Sequence, residues 1–248
     1  LEIIRGTEER LSTDLEGQPE IEAELRQTLG AVYEELGLYA QAEKMHRRAL
    51  LLRTKLLGSE HPGLADSRNQ LGTVLIAQKK FAEAEILFRE QLKRSRSIMS
   101  DVRIAGALAN LGAVLGAQGK TTEAEKFTRE SVAMLRQLLH HQHPDLATAI
   151  HNMAVMLTDH GKLDEAEMLH RESLGMFKSI FGSEHPWVAG SLQGLALLMA
   201  KKGQLAEGVA LEREALAMQR KLTGNEHPDV VSALNELAIM LVSQGNLD

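Results

Sequence analysis

Residues 143–182, HPDLATAIHNMAVMLTDHGKLDEAEMLHRESLGMFKSIFG, contain two helical patterns separated by a glycine turn. Each pattern has a stripe of mainly apolar residues spaced four, three and four positions apart, which keeps one helical face toward a neighbour. The two stripes are Leu146, Ile150, Met153, Leu157 and Leu169, Ser173, Met176, Ile180. Proline suits the first turn of a helix, and glycine suits the residue after its end. The stretch therefore predicts a helix from Pro144 to near Gly161, and a second one that ends at Gly182.

The same two-helix pattern recurs along the chain at steps of 40 or 42 residues. Three markers keep this spacing, and they are a Glu-x-Glu signal, an arginine six residues after its start, and a His-Pro pair. The signals start at Glu83, Glu123 and Glu165, with Gln41 and Glu207 in the same register. The arginines are Arg47, Arg89, Arg129, Arg171 and Arg213, and the His-Pro pairs start at His61, His143, His185 and His227. Three independent markers at one period indicate an internal repeat.

A single helix pair cannot bury its apolar face alone, so repeated pairs stack and each contacts only its neighbours. We therefore predict one all-α solenoid over 1–248. Its complete pairs are 19–58, 62–98, 100–139, 144–182 and 186–224, with partial repeats at 1–16 and 228–248. The third pair starts at Ser100-Asp101 instead of a His-Pro, so we expect one of these residues to cap its first helix and the superhelical angle to change there. The partial repeats, and a first residue other than Met, predict that the array belongs to a longer one.

Composition excludes several classes of function. The net charge is −6 without any Lys/Arg-rich run, which disfavours nucleic acid as a partner. Cysteine is absent, so disulfides, thiolate metal sites and cysteine nucleophiles are excluded. No apolar stretch approaches the roughly 20 residues that span a bilayer, so no membrane partner is predicted. A cytoplasmic location is the default expectation.

The repeat resembles a known family. The pairs Leu71-Gly72, Leu111-Gly112, Leu195-Ala196 and Leu237-Ala238, followed after a turn by Ala84, Ala124 or Ala166, resemble the tetratricopeptide repeat. The long unit, with Gly-Ser-Glu-His-Pro at 58–62 and 182–186, is similar to the variant of kinesin light chains. This resemblance implies a right-handed superhelix whose first helices line a concave groove. Such grooves bind extended or helical peptides.

The resemblance also assigns groove positions, counted back from the Leu-Gly pair. Two residues before it lie Gln27, Asn69, Ala109, His151, Gln193 and Asn235, and one residue before it lie Thr28, Gln70, Asn110, Asn152, Gly194 and Glu236. Five residues before it lie Glu24, Asp66, Gly106, Thr148, Gly190 and Ser232. From these we select seven candidate peptide-binding residues, which are Gln27, Asn69, Asn110, His151, Asn152, Gln193 and Asn235. Asparagine amides both donate and accept hydrogen bonds, so Asn69, Asn110 and Asn152 could pair with a peptide backbone. The alternative is that they cap turns or contact solvent.

The charges of the groove positions indicate which peptide would fit. Acids dominate at Glu24, Glu34, Glu35, Asp66, Asp159 and Glu236, against Lys201. The lysines and arginines with which related arrays grip acidic peptides are missing. A neutral or basic protein segment is therefore the expected partner, although salt screens such charges.

Other candidate sites have simpler explanations. The His-Pro histidines are expected to cap helices, and successive loops lie too far apart to share a metal. His140, His141 and His143 are close in sequence but lack a carboxylate at ligand spacing, and His46 and His170 share a register expected at the edge of the core. His151 is the one histidine in a groove position, and Trp187 could anchor a partner. No catalytic residue, metal site or cofactor is predicted, because no nucleophile elbow or phosphate loop is present.

The sequence leaves four functions to be distinguished by experiment. The leading prediction is a scaffold or adaptor that holds a peptide segment of another protein in the groove. The second is a regulatory array whose effector domain, such as a kinase, protease or ATPase, lies outside this sequence. A self-assembling scaffold could form by end-to-end stacking of the partial repeats. An enzyme is the least favoured, because no reactive constellation stands out from the repeat.

Overall fold

The computed structural model describes residues 10–11, 14–97, 101–139 and 142–245. From Pro19 to Gln244 these residues form eleven α-helices, a short 3-10 helix at Pro62–Leu64, and no strand. The helices are α1 Pro19–Glu35, α2 Tyr39–Leu57, α3 Ala65–Ala77, α4 Phe81–Ser97, α5 Asp101–Ala117, α6 Thr121–Leu138, α7 Pro144–Asp159, α8 Leu163–Phe181, α9 Pro186–Lys201, α10 Leu205–Thr223 and α11 Pro228–Gln244. The predicted all-α fold of tandem helix pairs is confirmed. The proposed cap Ser100 and most of the predicted partial repeat 1–16 lie outside the described residues.

The chain divides into two compact units, Leu1–Phe127 and Thr128–Asp248. In the first unit, α1 packs on α2, α2 on α3, α3 on α4 and α4 on α5. In the second unit, each helix from α7 to α11 packs on the next one. Both units are therefore built in the same way, from helices that contact their neighbours in sequence, as expected for a repeat architecture.

Histidine side chains start three of the first helices. The Nδ1 atoms of His143, His185 and His227 each accept a hydrogen bond, at 3.2 Å, from the backbone N–H two residues later. This bond satisfies one of the amide groups that a helix start leaves without a partner. The predicted capping role of the His-Pro histidines is therefore confirmed at these three positions.

At His61 the helix starts later than predicted. The 3-10 helix Pro62–Leu64 comes first, and α3 begins only at Ala65. Glycine follows the proline here, whereas aspartate or tryptophan follows it at the other His-Pro pairs. Because glycine is a poor helix former, Gly63 explains why the α-helix does not begin at the proline. His61 still accepts a hydrogen bond from the Gly63 amide, at 3.1 Å.

A three-residue turn joins the two helices of each pair. Its middle residue has a positive φ in every described copy, and these residues are Gly37, Lys79, Gly119, Gly161 and Gly203. The next amide donates to a carbonyl five residues back, as Lys80 does to Leu75 at 2.8 Å. This is the hydrogen bond of a left-handed helix cap, for which glycine costs least. Lys79 is the non-glycine exception.

The Leu-Gly pairs hold the two helices of a repeat close together. A Cβ atom added to Gly72 would collide with the ring of Phe88 on the second helix of the same pair. One added to Gly30 would collide with the ring of His46 in the same way. The glycine therefore makes room for a large buried ring on the facing helix, and the leucine before it contributes to the core, since Leu71 is 3% exposed.

Each unit has an apolar core between its helices. In the first unit Tyr33, Met45 and Val74 form one buried cluster. In the second unit Phe177, Val188 and Leu192 form another. Burying an aliphatic or aromatic side chain of this size stabilises a fold by about 1.5–3 kcal/mol. None of the helices that the structure describes is both long and apolar enough to cross a membrane.

The repeating arginines and Glu-x-Glu signals connect successive second helices. Each arginine contacts the first acid of the next repeat, in the pairs Arg47–Glu83, Arg89–Glu123, Arg129–Glu165 and Arg171–Glu207, at 2.5 to 3.4 Å. The second acid accepts from the turn of the next repeat, as when Glu43 accepts from Gln78 and Lys80 at 2.8 and 2.6 Å. The acids thus belong to contacts between helices, as the sequence pattern indicates.

Candidate functional site

In the first unit, two of the predicted groove asparagines contact each other. Asn69 Oδ1, on α3, accepts hydrogen bonds from Asn110 Nδ2 on α5 at 2.8 Å and from Gln91 Nε2 on α4 at 2.9 Å. Consecutive first helices therefore bring these residues together, although Asn69 and Asn110 differ by one place when counted from their Leu-Gly pairs. The carbonyl oxygen of Asn69 is already used within the protein.

Gln27 lies in a similar polar cluster between α1 and α2. Its side-chain oxygen accepts a hydrogen bond from Arg53, which also donates to Ser67 at 2.7 Å. Gln27 is half-buried. An arginine of the second helix, Arg53, thus binds a groove position near the start of the array. The sequence analysis counted positions only along the first helices and did not identify this arginine.

In the second unit, residues of the predicted groove register surround a cleft of about 400 Å³. They come from three successive first helices, α7, α9 and α11, and are His151, Gly190, Gln193, Gly194, Ser232 and Glu236. Of the seven selected residues, His151 and Gln193 line this cleft. Asn152 and Asn235 are exposed and are not among its lining residues.

Two polar residues of α10 that sequence reasoning missed contact Gln193, and one of them, Gln219, lines the cleft. Gln193 Nε2 donates to Glu212 Oε1 at 3.2 Å, and Gln219 Nε2 donates to Gln193 Oε1 at 2.8 Å. Glu212 is fully buried. Burial raises its pKa to about 7, the hydrogen bond from Gln193 opposes this shift, and the charge of Glu236 adds to it. The sequence did contain a signal for Glu212. This acid occupies the repeat position that His46, Phe88, Thr128 and His170 occupy in the other repeats.

Burial disfavours the protonated form of two neighbouring histidines, of which His151 lines the cleft. His151 and His170 lie 5.8 Å apart, ring centroid to ring centroid, in an edge arrangement. Burial lowers the pKa of both, and His151 lowers the pKa of His170 further, to about 4. His170 and His46 are completely buried, where the sequence predicted the edge of the core. The described residues contain no cluster of three or more His, Asp or Glu side chains suited to a metal ion.

Two of the acids assigned to the groove already have partners. Asp159 accepts from Lys201 at 2.8 Å, and Glu34 contacts the buried His46 at 2.7 Å. The lysine of the first pair is already included in the count of acids against Lys201, and a histidine carries charge only when protonated, so an excess of acids remains. Glu236, which lines the cleft, is half-buried, and burial raises its pKa.

Trp187 lies near the start of α9. Its side chain is 46% exposed, and its ring stacks on Phe177 at a centroid distance of 5.5 Å. One face of the indole is therefore fixed against the core while part of the ring remains available. A role as a partner anchor stays a prediction.

Tandem helix pairs, held by the same contacts in each unit, define a helical-repeat protein, a class that serves as a scaffold for protein interactions. The family profile described as tetratricopeptide repeat matches residues 22–97, 103–179 and 145–221. These matches cover most of the chain. The chain therefore belongs to the tetratricopeptide-repeat family.

Among curated proteins, nephrocystin-3 of Xenopus tropicalis is 40% identical over 68 residues, which are 27% of this chain. The same match holds for nephrocystin-3 of Homo sapiens. The chain spans only 5% of the length of these relatives. The likeness therefore covers only a short segment of each relative.

Solved structures of low sequence identity share the fold. The kinesin light chain of Podosopora anserina, with nearly identical TPR-like repeats, superposes with a TM-score of 0.62 at 23% identity, over 82% of this chain and 97% of that one. A Rap protein in complex with Competence and Sporulation Factor superposes with a TM-score of 0.61 at 15% identity, over 97% of this chain and 68% of that one.

Proposed function

We propose that this chain is an adaptor that binds a peptide segment of a partner protein along its first helices. The observation that carries the proposal is the cleft of the second unit, because six residues of the predicted groove register line it. Its size suits a few side chains of a bound peptide. One structural relative is seen with a factor bound, which is consistent with this function for the fold.

The chemistry of the cleft supports binding to a peptide. Amide groups, as in Gln193 and Gln219, can exchange hydrogen bonds with a backbone. Gly190 contributes no side chain and has open space beside it, so a peptide could approach helix α9 closely there. The rings of His170 and His151, by contrast, lie beside Gly194. In the first unit, Asn69 and Asn110 remain predicted contacts, but their mutual hydrogen bond would have to be exchanged for bonds to the ligand.

The proposal is tested by filling the cleft. A Cβ atom added to Gly190 has no heavy atom within 4 Å, so Gly190→Phe places a ring in open space without a clash at its root. Gly175, on α8, is equally open and does not line the cleft, so Gly175→Phe is the matched control. Both variants and the parent would be used to select clones from a random 12-residue peptide library displayed on phage.

We expect the parent and Gly175→Phe to enrich the same peptides, and Gly190→Phe to lose at least about tenfold in affinity for them, which is the loss of about 1.4 kcal/mol of binding energy. Circular dichroism would confirm that all three chains are folded. If Gly190→Phe retained every enriched peptide at the parent's affinity, this cleft would not be the binding site.

The other functions remain predictions. A regulatory array attached to an effector domain would use the same groove, so the peptide selection does not distinguish it from an adaptor. Sequencing the parent gene would decide between them, because only the regulatory protein encodes the effector. End-to-end association is checked by sedimentation at several chain concentrations.

A further inference from the structure

Three polar side chains in the second unit form a chain of hydrogen bonds. Gln193 Nε2 donates to Glu212 Oε1 at 3.2 Å. Gln193 Oε1 accepts from Gln219 Nε2 at 2.8 Å. The chain therefore leaves the side-chain oxygen of Gln219 as an acceptor at its far end.

The side-chain oxygen of Gln219 lacks a hydrogen-bond donor within the described part of the chain. Gln219 is only 7% exposed and lines the cleft, and its Oε1 atom has no hydrogen-bond partner among the described residues. Glu212 Oε2 and His151 Nδ1 are also buried without a partner among these residues, and of the two, His151 lines the cleft. The glutamate oxygen and the amide oxygen are acceptors, and a neutral histidine offers one accepting nitrogen. Buried acceptors without donors cost free energy, which a ligand with several donors would recover.

The charge of the cleft favours a cationic donor. Glu236 and Asp229 line it, whereas no lysine or arginine does so among the described residues. Lys201, which borders the neighbouring apolar cleft, uses its ammonium group on Asp159 at 2.8 Å. An anionic ligand would meet these acids without a compensating charge.

Apolar side chains complete the lining. Val155 and Leu197 line the same cleft, and both are partly exposed. Lysine and arginine have a long apolar stem below a charged head, so they match a cleft with apolar walls and acceptor groups. Lysine carries three donors and arginine five, and neither carries an acceptor.

We propose that this cleft binds a lysine or arginine side chain of the partner peptide, with Gln219 Oε1 accepting a hydrogen bond from it and Glu236 supplying the opposite charge. The inference rests on the proposed peptide-binding function and adds the class of side chain that is recognised. Water bound to the same acceptors is the competing explanation, and it predicts no preference for basic peptides.

The experiment is a double-mutant cycle on peptides selected from the random library. Three enriched peptides would be synthesised, each with a second version in which its lysines and arginines are replaced by glutamine. Affinities would be measured for the parent and for Glu236→Gln, a nearly isosteric change. Glu20→Gln, which removes an exposed acid from the first unit, controls for net charge.

We expect lysine and arginine to exceed their library frequency in the enriched peptides. The glutamine versions should bind the parent about tenfold more weakly than the basic peptides do. Glu236→Gln should bind the basic peptide about tenfold more weakly than the parent does, and should bind its glutamine version with the parent's affinity. Glu20→Gln should stay within about twofold of the parent.

The two proposals fail differently. If peptides are enriched and lost by Gly190→Phe, but basic residues are not enriched or Glu236→Gln binds both versions like the parent, peptide binding stands and basic recognition is wrong. If no peptide depends on the cleft, both are wrong.

Discussion

At the scale of single residues, Glu212 stands out because a carboxylic acid occupies a fully buried position. Its counterparts in the other repeats are His46, Phe88, Thr128 and His170, none of which is an acid. Burial raises the pKa of Glu212 to about 7, against 4.5 for an ordinary glutamate. A pKa raised by folding destabilises the fold at any pH where the group is ionised.

We expect Glu212→Gln to stabilise the protein at high pH. The penalty is absent below the unfolded-state pKa of 4.5, grows as the pH rises toward about 7, and is complete above it. A shift of this size corresponds to about 3 kcal/mol. Urea unfolding at pH 8 should therefore show a gain of up to about 3 kcal/mol in the free energy of unfolding, and at pH 4.5 almost none.

Glu214→Gln is the control for this prediction. Glu214 lies on the same helix, is 53% exposed and has a surface contact with Lys178 at 3.9 Å. Its replacement should change the free energy of unfolding by less than about 1 kcal/mol at either pH. An equal gain from Glu212→Gln at both pH values would show that protonation is not the cause.

At the scale of elements, the turn between α3 and α4 differs from the equivalent turns in one residue. Lys79 has a φ of 60°, where the other described copies have glycine. The left-handed conformation costs a residue with a Cβ atom about 1–2 kcal/mol, and glycine loses about 0.5–1 kcal/mol more chain entropy on folding. The two effects oppose each other, and the steric cost is the larger.

Lys79→Gly should therefore raise the free energy of unfolding by about 0.5 kcal/mol or somewhat more, measured by urea unfolding at neutral pH. The reverse change at the equivalent turn, Gly119→Lys, should lower it by a similar amount, because Gly119 has a φ of 77°. Destabilisation by Lys79→Gly would mean that the lysine side chain makes a contact worth more than the strain.

At the scale of the whole molecule, hydrogen bonds between successive repeats make stability sensitive to acid. Burial would raise the pKa of Glu43, but donors on Lys80, Arg47 and Gln78 outweigh it and lower the pKa to about 2. For Glu85, hydrogen bonds from Lys120 and then Gln118 lower the pKa to about 2 against a weaker effect of burial. Both carboxylates are mostly covered, with side chains 11% and 14% exposed.

The double variant Glu43→Gln/Glu85→Gln should reduce this acid sensitivity. A lowered pKa contributes stability above the unfolded value of 4.5, and that stability is lost as the pH falls toward about 2. Allowing for screening by solvent, each carboxylate contributes on the order of 2 kcal/mol. Urea unfolding should show that the parent's free energy of unfolding falls strongly between pH 7 and pH 3, and that the variant's falls less.

Glu83→Gln/Glu123→Gln is the matched control, because these acids contact the same arginines, Arg47 and Arg89, but are 54% and 56% exposed. Exposed pairs contribute little, so this variant should keep most of the parent's pH dependence. Equal behaviour of the two double variants would contradict a special role for the covered acids.

The sequence by itself determined the helix pairs, their caps and the family, because these features depend on local chemistry. Apolar spacing, histidine before proline and glycine after a helix act within a few residues, so the period of the pattern carries over directly into structure. The exception at His61 also has a local cause in Gly63, although its effect was noticed only in the structure. The groove register came from the family resemblance, and His151 and Gln193 of that register line the cleft.

Only the tertiary structure decided which polar groups meet. Gln193 contacts Glu212 and Gln219, which lie 19 and 26 residues further along the chain on the helix behind it. Asn69 and Asn110 are joined although their registers differ by one place. Such pairings, and the pKa shifts that follow, depend on burial and on how facing helices pack. A repeat pattern defines which face of each helix is inward, but the partner of each side chain there is determined by packing in three dimensions.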